Sequence, residues 1–101
     1  MDAFMILVTY TIEPGKREAF VDEIFSSGVI EHIRQEKGCL CYEYYSSVED
    51  EEILLLVEKW DSAKHQEIHM QQPHMEQLKK IKDRYVRNTK LERFFPLSSA
   101  T

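Results

Sequence analysis

Residues 39–60 read CLCYEYYSSVEDEEILLLVEKW. Two runs rich in aromatic, β-branched and leucine side chains flank the acidic tripeptide Glu49-Asp50-Glu51, the pattern of two antiparallel strands joined by a turn. Residues 39–48 alternate, with Leu40, Tyr42 and Tyr44 on one face and Cys41, Glu43 and Tyr45 on the other. Residues 52–60 are apolar on both sides: Ile53, Leu55 and Val57 on one, Leu54, Leu56 and Trp60 on the other. A strand apolar on both faces must be covered on both.

Before this hairpin, Phe4–Ile12 is almost unbroken apolar and β-branched, and Glu13-Pro14-Gly15 ends it as a strand. Over residues 16–36, Val21, Ile24, Phe25, Gly28, Val29 and Ile33 recur at helical spacing, with Phe20 and Ile30 flanking the stripe. One helix is expected there, stopped by Gly38. After the hairpin, Asp61 stands where an N-cap would, and residues 62–70 read as a short helix. Pro73 suits the first turn of the next helix, which carries Met75, Leu78, Ile81 and Tyr85. Residues 87–95 close as a last strand that Pro96 ends. The order β-α-β-β-α-β, its second helix broken in two, is the ferredoxin-like α+β arrangement with a four-stranded antiparallel sheet. Helices cover one face only, so the open face is expected to pack on a second copy as a homodimer. Residues 1–96 form one domain in this reading, and residues 97–101 a loose tail.

With 101 residues, 43% of them hydrophobic, the chain has material for one core and no room for a separate cofactor-binding module. A formal charge of −5 offers no field for phosphate backbones, which excludes nucleic acid as the expected partner. No apolar run reaches membrane-spanning length, and Asp2 stands where a secretory leader would carry basic charge, so a cytoplasmic protein is expected. Cys39 and Cys41, two apart on a strand, are expected on one face as reduced thiols with no thiolate metal site.

Three further features belong together: the strand opening Gly38-Cys39-Leu40-Cys41-Tyr42-Glu43, the strand end Glu58-Lys59-Trp60-Asp61, and His69-Met70-Gln71-Gln72-Pro73-His74. This pattern resembles the antibiotic biosynthesis monooxygenase superfamily, in particular its small bacterial quinol monooxygenases. The resemblance implies a dimeric α+β barrel with a pocket between sheet and helices in each subunit. Some members oxidise phenols or hydroquinones with molecular oxygen and no flavin or metal; others degrade haem, and a relative isomerises a phosphorylated autoinducer-2 sugar.

Oxygenation without a cofactor needs a base for the substrate hydroxyl, walls that exclude water, and a donor to steady negative charge. His69 and His74 match the family's paired positions, and the helix break between them could aim both rings at one cavity as base and donor; the plainer reading is two helix-end histidines. Trp60 is either the wall for a flat aromatic substrate or simply core. Glu58 shares its face and would gain proton affinity if buried. Tyr42, with Tyr44 and Tyr45, could bond a quinone oxygen or serve as ordinary strand aromatics. His65 and His69 have the spacing of two metal ligands on a helix, but a site needs a third, such as Glu58 or Glu67, so no metal is expected. His32 reads as a boundary residue and Lys79, Lys80 and Lys82 as the wet side of the last helix.

The expected activity is therefore a cofactor-free monooxygenase acting on a small aromatic quinol or polyphenol with molecular oxygen. An isomerase of a phosphorylated sugar would need Arg84 or Arg87 at the pocket, and a dimeric ligand-binding module would need no catalysis. Haem is disfavoured because the branch that degrades it carries an asparagine on strand one, whereas the only asparagine here is Asn88.

Overall fold

The computed structural model describes residues 2–96; the tail expected at residues 97–101 lies outside them. The order is β1 (Phe4–Ile12), α1 (Arg17–Ser26), α2 (Val29–Arg34), β2 (Cys39–Ser46), β3 (Ile53–Trp60), α3 (Ala63–Met70), α4 (His74–Tyr85) and β4 (Val86–Phe94). The strands form one antiparallel sheet in the order β2-β3-β1-β4, the ferredoxin-like topology read from the sequence.

Strand alternation sets the layers. In β1, Phe4, Ile6, Val8, Tyr10 and Ile12 are buried, while Met5, Leu7, Thr9 and Thr11 between them are half-buried. In β3, Leu54, Leu56, Glu58 and Trp60 turn to the core, and Ile53, Leu55 and Val57 lie half-buried on the other face. Phe20 and Ile24 of α1, Val29, Ile30 and Ile33 of α2, and Leu78 and Ile81 of α4 complete the core.

The expected single helix over residues 16–36 is two. Gly28 takes φ +83°, a conformation costly for any residue with a Cβ. Ser27 Oγ accepts from the Val29 amide at 3.2 Å and donates to the Ile24 carbonyl at 2.7 Å, closing one helix and opening the next. The break swings α2 across the start of β2. It moves Phe20 into the core, and Phe25, expected in the stripe, stays 42% exposed.

A bulge at Cys39–Cys41 corrects the strand-two faces. Cys39 pairs with Trp60, while Cys41 pairs with Lys59, so the two thiols fall on opposite faces. Leu40, expected beside Tyr42 and Tyr44, is thrown out to 60% exposure. Both thiols are free.

Three smaller corrections concern the second half. Ser62, not Asp61, caps α3, its side chain accepting from the His65 amide at 3.2 Å; Asp61 instead holds His65 Nδ1 at 2.6 Å. The last strand starts one residue earlier than expected, at Val86, and ends at Phe94. Lys82 is half-buried rather than on the wet side, because that turn of α4 faces the sheet and lays its ammonium over the Tyr10 ring at 5.8 Å.

Candidate functional site

Two places where the chain breaks regular structure build the site. The α2–β2 turn carries Glu36 and is pinned to the end of β3 by the Asp61 amide donating to the Gly38 carbonyl at 2.9 Å. Gly38 has φ +87°, and a Cβ there would meet Asp61 Oδ1 and His65 Nδ1 at 2.6 Å, so only glycine lets the turn lie this close to α3. The second break is the α3–α4 junction, where the Gln72 amide donates to the His69 carbonyl at 3.1 Å and Met75 to Gln72 at 3.0 Å. On an unbroken helix, residues five apart would point about 140° away from each other. The break brings His69 and His74 onto one carboxylate.

That carboxylate is Glu36. His69 Nδ1 donates to its two oxygens at 3.0 and 3.1 Å, and His74 Nε2 donates at 2.6 Å. The side chains of His69, His74 and Glu36 are 1%, 12% and 12% exposed. An ionised carboxylate only accepts, so both rings must carry hydrogen on the nitrogen facing it. In the neutral ring of His69 this leaves Nε2 as a lone pair turned away from Glu36, and that nitrogen has no hydrogen-bond partner among the described residues. His69 is also the only buried side chain of α3, an unusual anchor for a helix.

Inward of His69 lie the other expected residues. The Trp60 ring packs on the imidazole with centroids 4.6 Å apart, and Tyr42 meets it edge-on at 5.9 Å. Trp60 Nε1 donates to Glu58 Oε1 at 2.9 Å. Burial raises the proton affinity of Glu58, opposed by the Trp60 bond and by His69 and Lys82. Burial likewise raises the phenols of Tyr10 and Tyr42 well above their usual range and lowers Lys82. The Tyr44 hydroxyl is buried without a hydrogen-bond partner, a cost of about 1–3 kcal/mol if it stays unpaired.

The layer around Trp60 and His69 is tightly filled, with Trp60 and Leu78 fully buried. Open space lies on its outer side. A groove of about 740 Å³ is lined by His32, Glu36, Gln72, His74 and Gln77 among others, and His32 stacks on His74 with centroids 4.6 Å apart. Thus Glu58, Trp60, Tyr42 and His69 form one buried contact series, and His74 marks its solvent end. Three groups do not join it. His65 is turned to Asp61, so the His65/His69 pair is committed to two different carboxylates. Arg84 pairs with Glu23, and Arg87 with Glu52 at 2.5 Å, both on the exposed surface. Sequence reasoning missed Glu36, because its contact with His69 spans 33 residues; the one local signal is an acid two positions before the glycine that opens β2.

Fold and site together define a small α+β sandwich with a histidine–carboxylate pair set against a buried indole. The pattern of the antibiotic biosynthesis monooxygenase family matches residues 3–80, and the chain belongs to that family. The chain is similar to "Putative monooxygenase YcnE" of Bacillus subtilis, with 28% identity over 65 residues, 64% of this chain and 66% of that relative's length. A solved structure from Pseudomonas aeruginosa superposes with a TM-score of 0.84 at 22% identity, covering 97% of each chain. The "Putative antibiotic biosynthesis monooxygenase from Nitrosomonas europaea" does so with a TM-score of 0.84 at 17% identity, covering 98% of this chain and 94% of the other. Among the described residues no helix is long and apolar enough to cross a membrane.

Proposed function

We propose that this protein is a cofactor-independent monooxygenase that oxidises a small hydroquinone or polyphenol with molecular oxygen. It acts in the cytoplasm, as a homodimer joined through the open sheet face. His69 Nε2 takes the hydroxyl proton, because the resulting quinolate gives an electron to oxygen far more readily than the neutral quinol. Glu36 holds the productive tautomer and balances the imidazolium that forms, as the carboxylate does in a catalytic triad. Trp60 and Tyr42 back the His69 ring from the core side and keep water from it there. His74 steadies Glu36 from the groove side. One oxygen atom enters the ring and the other leaves as water, so a hydroquinone and O2 become a hydroxyquinone and water.

The observation that carries this reading is the single carboxylate shared by two histidines beside a buried indole. The half-buried apolar row of Leu7, Leu55 and Val57 supports the dimer, since such a face is stabilised by covering. An oxygen electrode with a menadiol-type quinol tests the activity. Enzyme-dependent oxygen uptake is expected, with His69→Gln lowering kcat about 10²- to 10⁴-fold. Turnover without oxygen, or rates unchanged in both His69→Gln and His74→Gln, would refute it and favour a non-catalytic binding module.

A further inference from the structure

A second histidine–carboxylate pair stands outside the site described above. Asp61 Oδ1 accepts from His65 Nδ1 at 2.6 Å, and this bond holds the Asp61 carboxyl below its usual range, so the carboxylate stays ionised and the ring nitrogen facing it carries hydrogen. The other ring nitrogen, Nε2, has no hydrogen-bond partner among the described residues. His65, its side chain 22% exposed, borders a cleft of about 470 Å³ between the α2–β2 turn and α3. Glu36, Lys37, Lys64, Ile68 and Gln72 form the rest of the lining. Neither Lys37 nor Lys64 meets a carboxylate within ion-pair distance among the described residues, whereas Lys79 and Lys90 pair with Asp83 and Glu92. The acid in the lining is Glu36, whose oxygens are engaged by His69 and His74. Two free ammonium groups and a free imidazole nitrogen therefore share one cleft with an apolar side chain, Ile68, which is 43% exposed.

We infer that this cleft binds a small organic carboxylate, its anionic end held by Lys37, Lys64 and His65 Nε2 and its apolar body laid on Ile68. The site is separate from the proton transfer at His69 and does not depend on it. A carboxylate meets ammonium and imidazolium through charge-assisted hydrogen bonds, and the flexible lysine stems let both ammonium groups close on one anion. An inorganic anion would meet the same cations but leave Ile68 in water, so the apolar contact favours an organic ligand. A neutral His65 with hydrogen on Nδ1 has only a lone pair at Nε2 and cannot donate there, so binding draws a proton onto the ring. Lys37 of the turn and Lys64 of α3 oppose that proton. Asp61 at the end of β3 and Glu36 of the turn favour it, with His69 and His74 on the Glu36 carboxylate, and the bound anion adds a further negative charge.

The test titrates benzoate into the full chain and follows the histidine ring nitrogens by NMR, so that binding and protonation are read at one residue and without any turnover. A saturable shift of His65 toward the protonated form is expected, with His69 unmoved. Lys37→Gln and Lys64→Gln should each weaken binding about two- to fivefold, as for exposed charge pairs, and the double variant about tenfold. Both lysines are exposed, so these variants are expected to melt with the wild type. Ile68→Ser should weaken benzoate and leave the affinity for inorganic phosphate unchanged, and benzyl alcohol, which has the ring without the charge, should leave His65 unshifted. A His65 signal that benzoate does not move, an affinity unchanged in the double lysine variant, or phosphate bound as tightly as benzoate would overturn the inference. Quinol-dependent oxygen uptake that persists in the double lysine variant keeps this site distinct from the proposed oxidation: loss of benzoate binding there would sink neither, while absence of uptake in a wild type that binds benzoate would sink the monooxygenase alone.

Discussion

Replacing Glu36 by glutamine keeps the size of the side chain and removes its charge. In the wild type two imidazole N–H groups converge on the carboxylate, at 3.0 and 3.1 Å from His69 and 2.6 Å from His74. A glutamine can accept at one end only and presents an N–H₂ at the other, so one ring must change tautomer or lose its bond. A hydrogen bond to a charged group contributes about 1.5–3 kcal/mol against about 0.5–1.5 for a neutral one. Two such bonds become one neutral bond and one mismatch, a loss of about 2–5 kcal/mol; residual solvent contact at Glu36 and His74 puts the expected loss at the lower end, about 2 kcal/mol. For a domain of this size that is a drop of about 8–16 °C in Tm. Urea unfolding gives the free energy, and nitrogen-detected NMR of the histidine rings gives the tautomers. If His69 is the ring that switches, its lone pair turns to Glu36→Gln and kcat should fall about 10⁴-fold, as when a triad carboxylate is made an amide. Unfolding within about 0.5 kcal/mol of wild type, with both tautomers retained, would refute the claim that this carboxylate organises the site.

Other outcomes follow from the same physics. Burial raises the folded-state pKa of Glu58 above its unfolded value, so its contribution to stability is present below the unfolded carboxylate pKa and is lost as pH rises through the folded one. Glu58→Gln, which still accepts the Trp60 N–H, should therefore raise Tm at neutral pH and lose that advantage in acid, as thermal melts across pH will show. Gly28→Ala should cost about 1–2 kcal/mol from backbone strain alone, since nothing lies within 4 Å of the added Cβ. Gly38→Ala should cost clearly more and separate Asp61 from His65, because its Cβ would stand 2.6 Å from both; equal urea midpoints for the two variants would refute the packing argument. Ser62→Ala removes the α3 cap and should destabilise by about 1 kcal/mol in the same assay.

The strands were legible because each signal was local. Residues 4–12 and 53–60 alternate or run apolar over a single strand length, and the acidic turn between β2 and β3 stands alone in sequence. Trp60 and Glu58 could be placed on one face because the period of two is rigid, and both turn to the core. The bulge at Cys39–Cys41 broke the same rule in β2, and no residue there announces it; Leu40 is an ordinary strand residue that the register shift turned outward. Gly28 was visible as a glycine, but its place in a helical stripe made it read as a small core residue instead of a left-handed break.

The site itself needed both kinds of break at once, and this is why only part of it could be read. His69 and His74 announce themselves by flanking Gln71-Gln72-Pro73, so a pair of imidazoles near a kink was a sequence-level expectation. What the kink aims them at depends on Gly28 shortening the first helix, since a continuous helix through residue 36 would carry Glu36 along its own axis and away from α3. The break lets α2 end at Arg34, the turn fall back against Gly38, and the carboxylate meet both rings. Gly28, whose carbonyl accepts from the His32 amide at 3.1 Å, thus decides whether His69 has its partner. The Gly28→Ala variant should accordingly lose quinol-dependent activity by more than its loss of folded protein explains; a variant with full activity per folded molecule would show that the turn carrying Glu36 finds its place without the break.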